Sequence, residues 1–364
     1  MFLYLLKKLD WILIVSAVLL SIMGLMSIFS TSFYHDKSYF CKQAGFLVVG
    51  IFLMLVFTFI DYRLFRNHSS LLLILYFVSV FLLVAVLFMG KSRGAASWFN
   101  FGLFSFEPVE FAKLVMVLIF AQYFSLRHIE LYRIIHIIIS GVYTALVAGL
   151  VFLQPDLGSA AVLIFLWLGV MIIAGIKLRQ LLFLLLIGAI LFGIAWLGIL
   201  QQYQKDRIIS FINPYLDPQG SGYHRIQSII AIGSGQFWGR GLGHGPQSQL
   251  NFLPEQHTDF IFASIAEEWG FAGLIIIFIL YFLLFYRIIK IARNAENNFA
   301  RLFCVGAAIV FAFQALVNIG MNLGLLPIVG ISLPFVSYGG SNLLINFIML
   351  GIIESIAPRC KQLT

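Results

Sequence analysis

GSGQFWGRGLGHGPQSQLNFLPEQHTDFIFASIAEEWG, residues 233–270, is the longest polar interval in an otherwise apolar chain, and it runs straight into a hydrophobic segment. Alternating glycines give way to Glu255, Gln256, His257 and Thr258, and Asp259 stands where the apolar run begins. An acid at that boundary lies between water and lipid, where a group acting on a membrane-anchored molecule has to be. Ionisable groups at such boundaries are functional-site candidates by default. The competing reading is a helix cap, because Thr258 or Asp259 could accept from the free N–H groups of the helix that follows. Spacing leaves both open.

Working outward, the rest of the chain is membrane material. Of its 364 residues 61% are hydrophobic and 10% charged, whereas a soluble domain carries about 25% charged residues. The expected fold is an all-α polytopic membrane protein, a single integral membrane domain over residues 1–364. A helix needs about 20 apolar residues to cross the hydrocarbon core. That length predicts ten spans, near 11–29, 43–60, 71–90, 109–125, 134–152, 158–176, 180–200, 260–286, 302–323 and 336–356. The first run lacks a small-residue cleavage site and leads into more spans, so it reads as a retained helix.

Charge placement predicts the orientation. With the N-terminus inside, Lys7, Lys8, Arg63, Arg66, Arg127, Arg133, Lys177, Arg179, Arg287, Lys290, Arg293, Arg301, Arg359 and Lys361 all fall inside; they are 14 of the 23 Lys and Arg. Both termini are then cytoplasmic, and residues 201–259 form one large extracytoplasmic loop between helices 7 and 8. The net charge of +8 is thus an orientation signal, and no nucleic-acid partner is expected. Cys41, Cys304 and Cys360 are far apart, with no pairing pattern for a disulfide framework or thiolate metal site.

Several outer segments carry polar chemistry. In KSRGAASWFNFGLFSFEPVEFAKL, residues 91–114, Trp98 sits in a Gly-rich turn and Glu107-Pro108 opens a helix. Glu110 and Lys113 are three apart, so they share a face and can pair; they either cap and snorkel or face a central cavity. Asp156 in QPDLGS is a natural cap for the next span. Residues 223–232 read as a short amphipathic helix in the large loop. The glycines at 239, 241, 243 and 245 do not spell a dinucleotide fingerprint, and His244 and His257 match no strong zinc spacing. Glu267 and Glu268 fall inside the eighth span and must face protein or water. Gln314, Asn318 and Asn322 recur every four residues in the ninth span, and Asn342 and Asn346 follow in the tenth; they serve interhelical hydrogen bonding or line a cavity.

NFLPEQHTDFIFASIAEEWGF, residues 251–271, resembles the signature of the SEDS family (shape, elongation, division and sporulation proteins), nearer its RodA branch than its FtsW branch. The turn before Glu107 is similar to the family's GAxRW and QPSExxK pattern, with Ser97, Glu107 and Val109 as departures and Trp98, Pro108, Glu110 and Lys113 retained. QPDLGS and NIGMNLGLLPIVGISLPFVSYGGSN also resemble family segments, and Met321 and Gln247-Ser248-Gln249 favour the RodA side. The resemblance therefore covers nearly the whole chain.

What the resemblance implies is a glycosyltransferase of the bacterial cytoplasmic (inner) membrane that polymerises lipid II into glycan strands during cell elongation and shape maintenance. Expected partners are lipid II, a class B penicillin-binding protein that crosslinks the strands, and other elongation-complex membrane proteins. Asp259, on the family's HTDF acid, is the candidate general base, since burial raises a carboxylate toward a useful pKa. Glu110 and Lys113 complete the catalytic set, and Trp98, Arg207, Gln227, Ser228, His257 and Ser337 are the expected substrate-binding residues. No tightly bound cofactor is expected; a divalent cation, Mg or Mn, could arrive on the substrate pyrophosphate. The alternatives are a lipid II flippase, which needs no outer acid for chemistry, and a non-enzymatic scaffold. No inverted repeat of the carrier type is visible.

Overall fold

The computed structural model describes residues 9–32, 38–88, 98–100, 102, 105–127, 134–198, 200–214, 220–250, 252–253 and 255–360. Lys7, Lys8, Arg133 and Lys361 of the orientation set and the turn at 91–97 with Ser97 lie outside the described residues.

Ten of the described helices are long and apolar enough to cross a membrane. They are α1 (Trp11–Ser32), α2 (Ser38–Phe59), α4 (Ser69–Leu87), α5 (Pro108–Leu126), α6 (Ile134–Leu153), α7 (Leu157–Ala174), α8 (Leu178–Gly198), α12 (Ile261–Asn294), α13 (Asn298–Asn322) and α14 (Gly340–Ile356). A short α3 (Arg63–Asn67) links α2 to α4, and α9 (Gln202–Ile212), α10 (Ser221–Ser234) and α11 (Pro246–Gln249) build the large loop. The strands are β1 (Phe99–Asn100) and β2 (Ser105–Phe106), an antiparallel pair with Phe99 opposite Phe106. Span count and order agree with the sequence expectation. Four boundaries moved by four residues or more: α2 starts at Ser38, α13 starts at Asn298, α12 continues to Asn294, and α14 starts only at Gly340 because residues 335–339 are held as a turn.

Burial sorts the helices. At the centre α13 packs on α5, α7 and α12, while α14 lies along α2 and α12 along α1. Accordingly α5 and α14 bury nearly every side chain, including Glu110 and Lys113 on α5. By contrast α8 fully buries none, and most of its apolar surface faces outward. In lipid such a surface costs nothing to leave uncovered, because helix association there relies on packing and hydrogen bonds rather than on escape from water.

Gly270 breaks α12 one-third of the way along, with a left-handed φ of 65°. A break inside a span frees backbone groups that lipid cannot satisfy. The glycine-rich loop pairs them. Phe271 N–H donates to Gln236 O at 2.9 Å and Ala272 N–H to Phe237 O at 3.0 Å, while Arg240 and Gly241 donate to the Glu267 and Glu268 carbonyls at 3.0 Å. A Cβ on Gly239 would stand 2.2 Å from Glu268 O, so this approach requires glycine. The two acids in the span have protein partners, as expected. Glu267 accepts from the Gln247 and Ser248 N–H groups at 2.8 and 2.9 Å, capping α11, and Glu268 accepts from Ser30 Oγ and from Gly243 N–H.

The basic loops expected inside converge on one face. Arg287 Nε donates to both Asp10 oxygens at 2.8 and 2.6 Å, and Asp10 N–H donates to Glu354 Oε2 at 3.0 Å, joining α1, α12 and α14. Nearby Arg63 pairs with Glu296 and Arg359 with Asp61. The outer motifs gather at the opposite end.

Candidate active site

Asp259 is placed by its own peptide rather than by its side chain. The carbonyls of three consecutive residues are gripped by neighbours. His257 O accepts from Tyr338 N–H at 2.8 Å, Thr258 O from Ser337 Oγ at 2.6 Å, and Asp259 O from both Asn318 Nδ2 at 3.0 Å and Asn322 Nδ2 at 2.9 Å. Asn318 Nδ2 also donates to Ile331 O at 2.7 Å, and Ser337 Oγ accepts from Leu333 N–H. Asn322 Oδ1 in turn accepts from Ala263 N–H, one of the free donors in the first turn of α12. That first turn has Phe260 as its N-cap residue and no side-chain cap. The cap reading of Asp259 is therefore not what the fold uses. Among the described residues its carboxyl accepts no hydrogen bond, and it faces a cavity.

That cavity encloses about 500 Å³ of empty space including its mouth. Trp98, Glu107, Glu110, Lys113, Ser159, Asp259, Gln314, Tyr338 and Asn342 are among its lining residues. Glu110 and Lys113 meet on successive turns of α5, Nζ to Oε1 at 2.8 Å, both side chains almost wholly buried. The start of α5 is tied to α14, because Glu107 N–H donates to Ser341 Oγ at 3.0 Å and Ser341 Oγ donates to Ser105 O. Burial and the neighbouring Glu255 push the Asp259 carboxyl up to about 7, with Asp156 adding to the rise and Arg207 opposing it. Burial, with Glu110 beside it, also holds Glu107 well above the usual carboxylate range. A carboxyl poised near neutrality next to a fixed ion pair can take a proton from a bound hydroxyl.

The expected site residues divide into two groups. Trp98, Glu110, Lys113 and Asp259 share the cavity wall. Arg207 lies on α9 over the Tyr203 ring at 5.7 Å, and it reaches Asp259 through its charge. Ser228, on α10, donates to Asn322 O at 2.8 Å, supporting the amide that holds Asp259; Gln227 is its neighbour on the same helix, half-buried. His257 Nδ1 lies 2.9 Å from Thr31 Oγ1, and its ring is 5.1 Å from Tyr39. Ser337 is committed to backbone, as described. Asp156 caps α7, accepting from Ser159 N–H at 3.0 Å. What sequence reasoning underused was the amide stripe. Its four-residue period put Gln314, Asn318 and Asn322 on one face, but only the fold shows that Gln314 lines the cavity while the two asparagines hold Asp259 in place.

Known proteins share this layout. The model of the FtsW/RodA/SpoVE cell cycle protein family matches residues 10–362. Probable peptidoglycan glycosyltransferase FtsW of Haemophilus influenzae is 38% identical over 356 residues, covering 93% of this chain and 88% of that protein. Peptidoglycan glycosyltransferase MrdB of Escherichia coli K12 is 38% identical over 331 residues, covering 89% and 86%. A structure described as the coordination of polymerization and crosslinking by a peptidoglycan synthase complex superposes with a TM-score of 0.82 at 31% identity, covering 97% of this chain and 99% of that one. The crystal structure of the Thermus thermophilus rod shape determining protein RodA gives 0.72 at 31% identity, covering 97% and 98%.

Proposed function

This chain belongs to the FtsW/RodA/SpoVE family of cell cycle proteins, and from that membership we propose that it is a multi-pass peptidoglycan glycosyltransferase that polymerises lipid II with Asp259 as general base. One observation carries the assignment of the base: among the described residues, Asp259 alone combines an uncommitted carboxyl, a value near 7 and a place on the cavity wall beside the Glu110–Lys113 pair.

In the proposed reaction the acceptor sugar hydroxyl gives its proton to Asp259 as its oxygen attacks the anomeric carbon of the donor. The anomeric C–O bond to pyrophosphate breaks, and the pyrophosphate leaves with the bonding pair. Held rigidly by Asn318 and Asn322, the Asp259 peptide keeps the base at a fixed distance from the acceptor, which is where positioning contributes most to rate. Lys113 holds Glu110 in an ion pair on the cavity wall, and Arg207 lies near enough to Asp259 to offset charge developing on the pyrophosphate. A divalent cation would enter with that pyrophosphate, since among the described residues no group of three or more His, Cys, Asp or Glu is arranged to hold one.

The membrane is the bacterial cytoplasmic membrane in this reading, with the cavity opening outward and the Asp10–Arg287 face inward. The partner is a class B penicillin-binding protein, which the likeness to a synthase complex supports. We place the chain on the elongation side from Gln247-Ser248-Gln249 and Met321; relatives named FtsW and MrdB match it equally well. The experiment is glycan synthesis from labelled lipid II by purified protein, wild type and Asp259→Asn, with and without that partner. Strands from wild type and none from a folded D259N protein are expected. Equal product from both would move the base elsewhere, and no product from either would favour a flippase or a scaffold.

A further inference from the structure

Beneath Asp259 the cavity wall holds polar atoms that the mechanism above leaves unused. Gln314 is fully buried, and among the described residues neither its Oε1 nor its Nε2 has a hydrogen-bond partner. Asn342 Nδ2 and Glu110 Oε2 are likewise buried and unpaired, and all three side chains line the same cavity. Asn342 is held from behind, because its Oδ1 accepts from Asn346 Nδ2 at 2.8 Å. Glu110 is held by Lys113 through its other oxygen. Unpaired amides and carboxylates buried in a membrane protein are costly, so three that converge on one space mark a place where a ligand completes the bonding.

The inventory of atoms selects the ligand class. Two donors, Gln314 Nε2 and Asn342 Nδ2, stand with two acceptors, Gln314 Oε1 and Glu110 Oε2. A phosphate would meet carboxylates at Glu107, Glu110 and Asp259 with one cation, Lys113, already paired. A bare cation would meet amide N–H groups and the Lys113 ammonium. A neutral group that both donates and accepts suits all four atoms, and Trp98 on the same wall offers an apolar face to a ring.

We propose that Gln314, Asn342 and Glu110 Oε2 form a saccharide subsite that binds the hydroxyl and acetamido groups of the acceptor sugar ring and presents its reacting hydroxyl to Asp259. This rests on the glycosyltransferase reading for the identity of the ring. It separates the site into two regions: the sugar sits on the amides at the base of the cavity, and the pyrophosphate stays toward Arg207.

The test uses the full-length protein and a soluble probe, the N-acetylglucosamine–N-acetylmuramic acid disaccharide without lipid or pyrophosphate, measured by equilibrium binding. Gln314→Leu and Asn342→Leu should each weaken disaccharide binding at least tenfold. They should raise KM for lipid II more than they lower kcat, and inhibition by inorganic pyrophosphate should stay unchanged. Gln314→Glu, which keeps an acceptor and removes the donors, should fall between. Melting temperatures at or above wild type would show that the variants fold. Unchanged disaccharide binding in folded variants overturns the subsite, as does a wild type that shows no saturable disaccharide binding. Lost pyrophosphate inhibition with retained disaccharide binding overturns it too. Because binding is read without turnover, a wild type that binds the disaccharide but makes no strands would uphold the subsite and sink the polymerase reading.

Discussion

Two carboxylate clusters stand at opposite ends of the helix bundle, one around the buried Asp10 and one around the half-buried Asp259. At Asp10 both oxygens are engaged by Arg287, one of them also accepts from Leu13 N–H, and the backbone N–H is given to Glu354. At Asp259 the backbone carbonyl is held by two asparagines, and among the described residues the carboxyl has no hydrogen bond. The same residue type is thus a finished joint in one place and a loaded group in the other. A buried charge with every partner in place shapes the fold, whereas one held by its backbone and denied partners is available for chemistry.

The largest effect expected from breaking this contrast is on rate. Asp259→Asn should reduce glycan synthesis by about 10²–10⁴-fold, the usual contribution of a general base, without lowering the melting temperature. The pH profile should carry the same signature. Activity should rise as pH passes through about 7, because only the carboxylate accepts a proton. Stability runs the other way. Between the ordinary value of 3.8 and about 7 the unfolded chain releases this proton while the folded chain keeps it, so wild type should lose stability relative to D259N as pH rises. A flat pH–rate profile over that interval would remove Asp259 as the base.

Next comes the inner joint. Arg287→Met strands Asp10 without its cation, and breaking a buried pair costs about 3–5 kcal/mol. A sharply lower melting temperature is expected, with the pH profile of the surviving activity unchanged. Should R287M melt like wild type, the inner cluster would not be the structural counterpart described.

Smaller, and sharper as a discriminator, is Asn322→Ala, which removes one of two grips on Asp259 O and the acceptor for Ala263 N–H. A buried group left unpaired costs about 1–3 kcal/mol. The expected outcome is a roughly tenfold fall in kcat with KM little changed, measured at a temperature where the variant is folded. Smallest of all, Arg63→Ala breaks the exposed pair with Glu296, which water and salt screen, and should leave the melting temperature and activity essentially unchanged.

Much of this was legible in the chain. Apolar run length is enough to count spans, because crossing lipid demands helices of one length, and the boundary position of Asp259 marked it as a candidate. The Glu110–Lys113 pair follows from a three-residue spacing on a helix. Legibility stopped where partners are distant in sequence. Nothing in the local pattern says that Asn318 and Asn322 reach Asp259 O, or that Ser228 stands behind Asn322.

The break at Gly270 shows the same limit. The positions of the glycines at 235, 239 and 270 are plain in the sequence, but their meaning is a close approach between a loop and a broken span, with backbone groups paired across it. Local composition and periodicity decided the membrane class, the ten helices, their order and the acid at the boundary, since those depend on each segment's own solubility in lipid. Tertiary contact decided which acid stays free, because whether a carboxyl finds a partner depends on side chains from other helices brought to the same few ångströms.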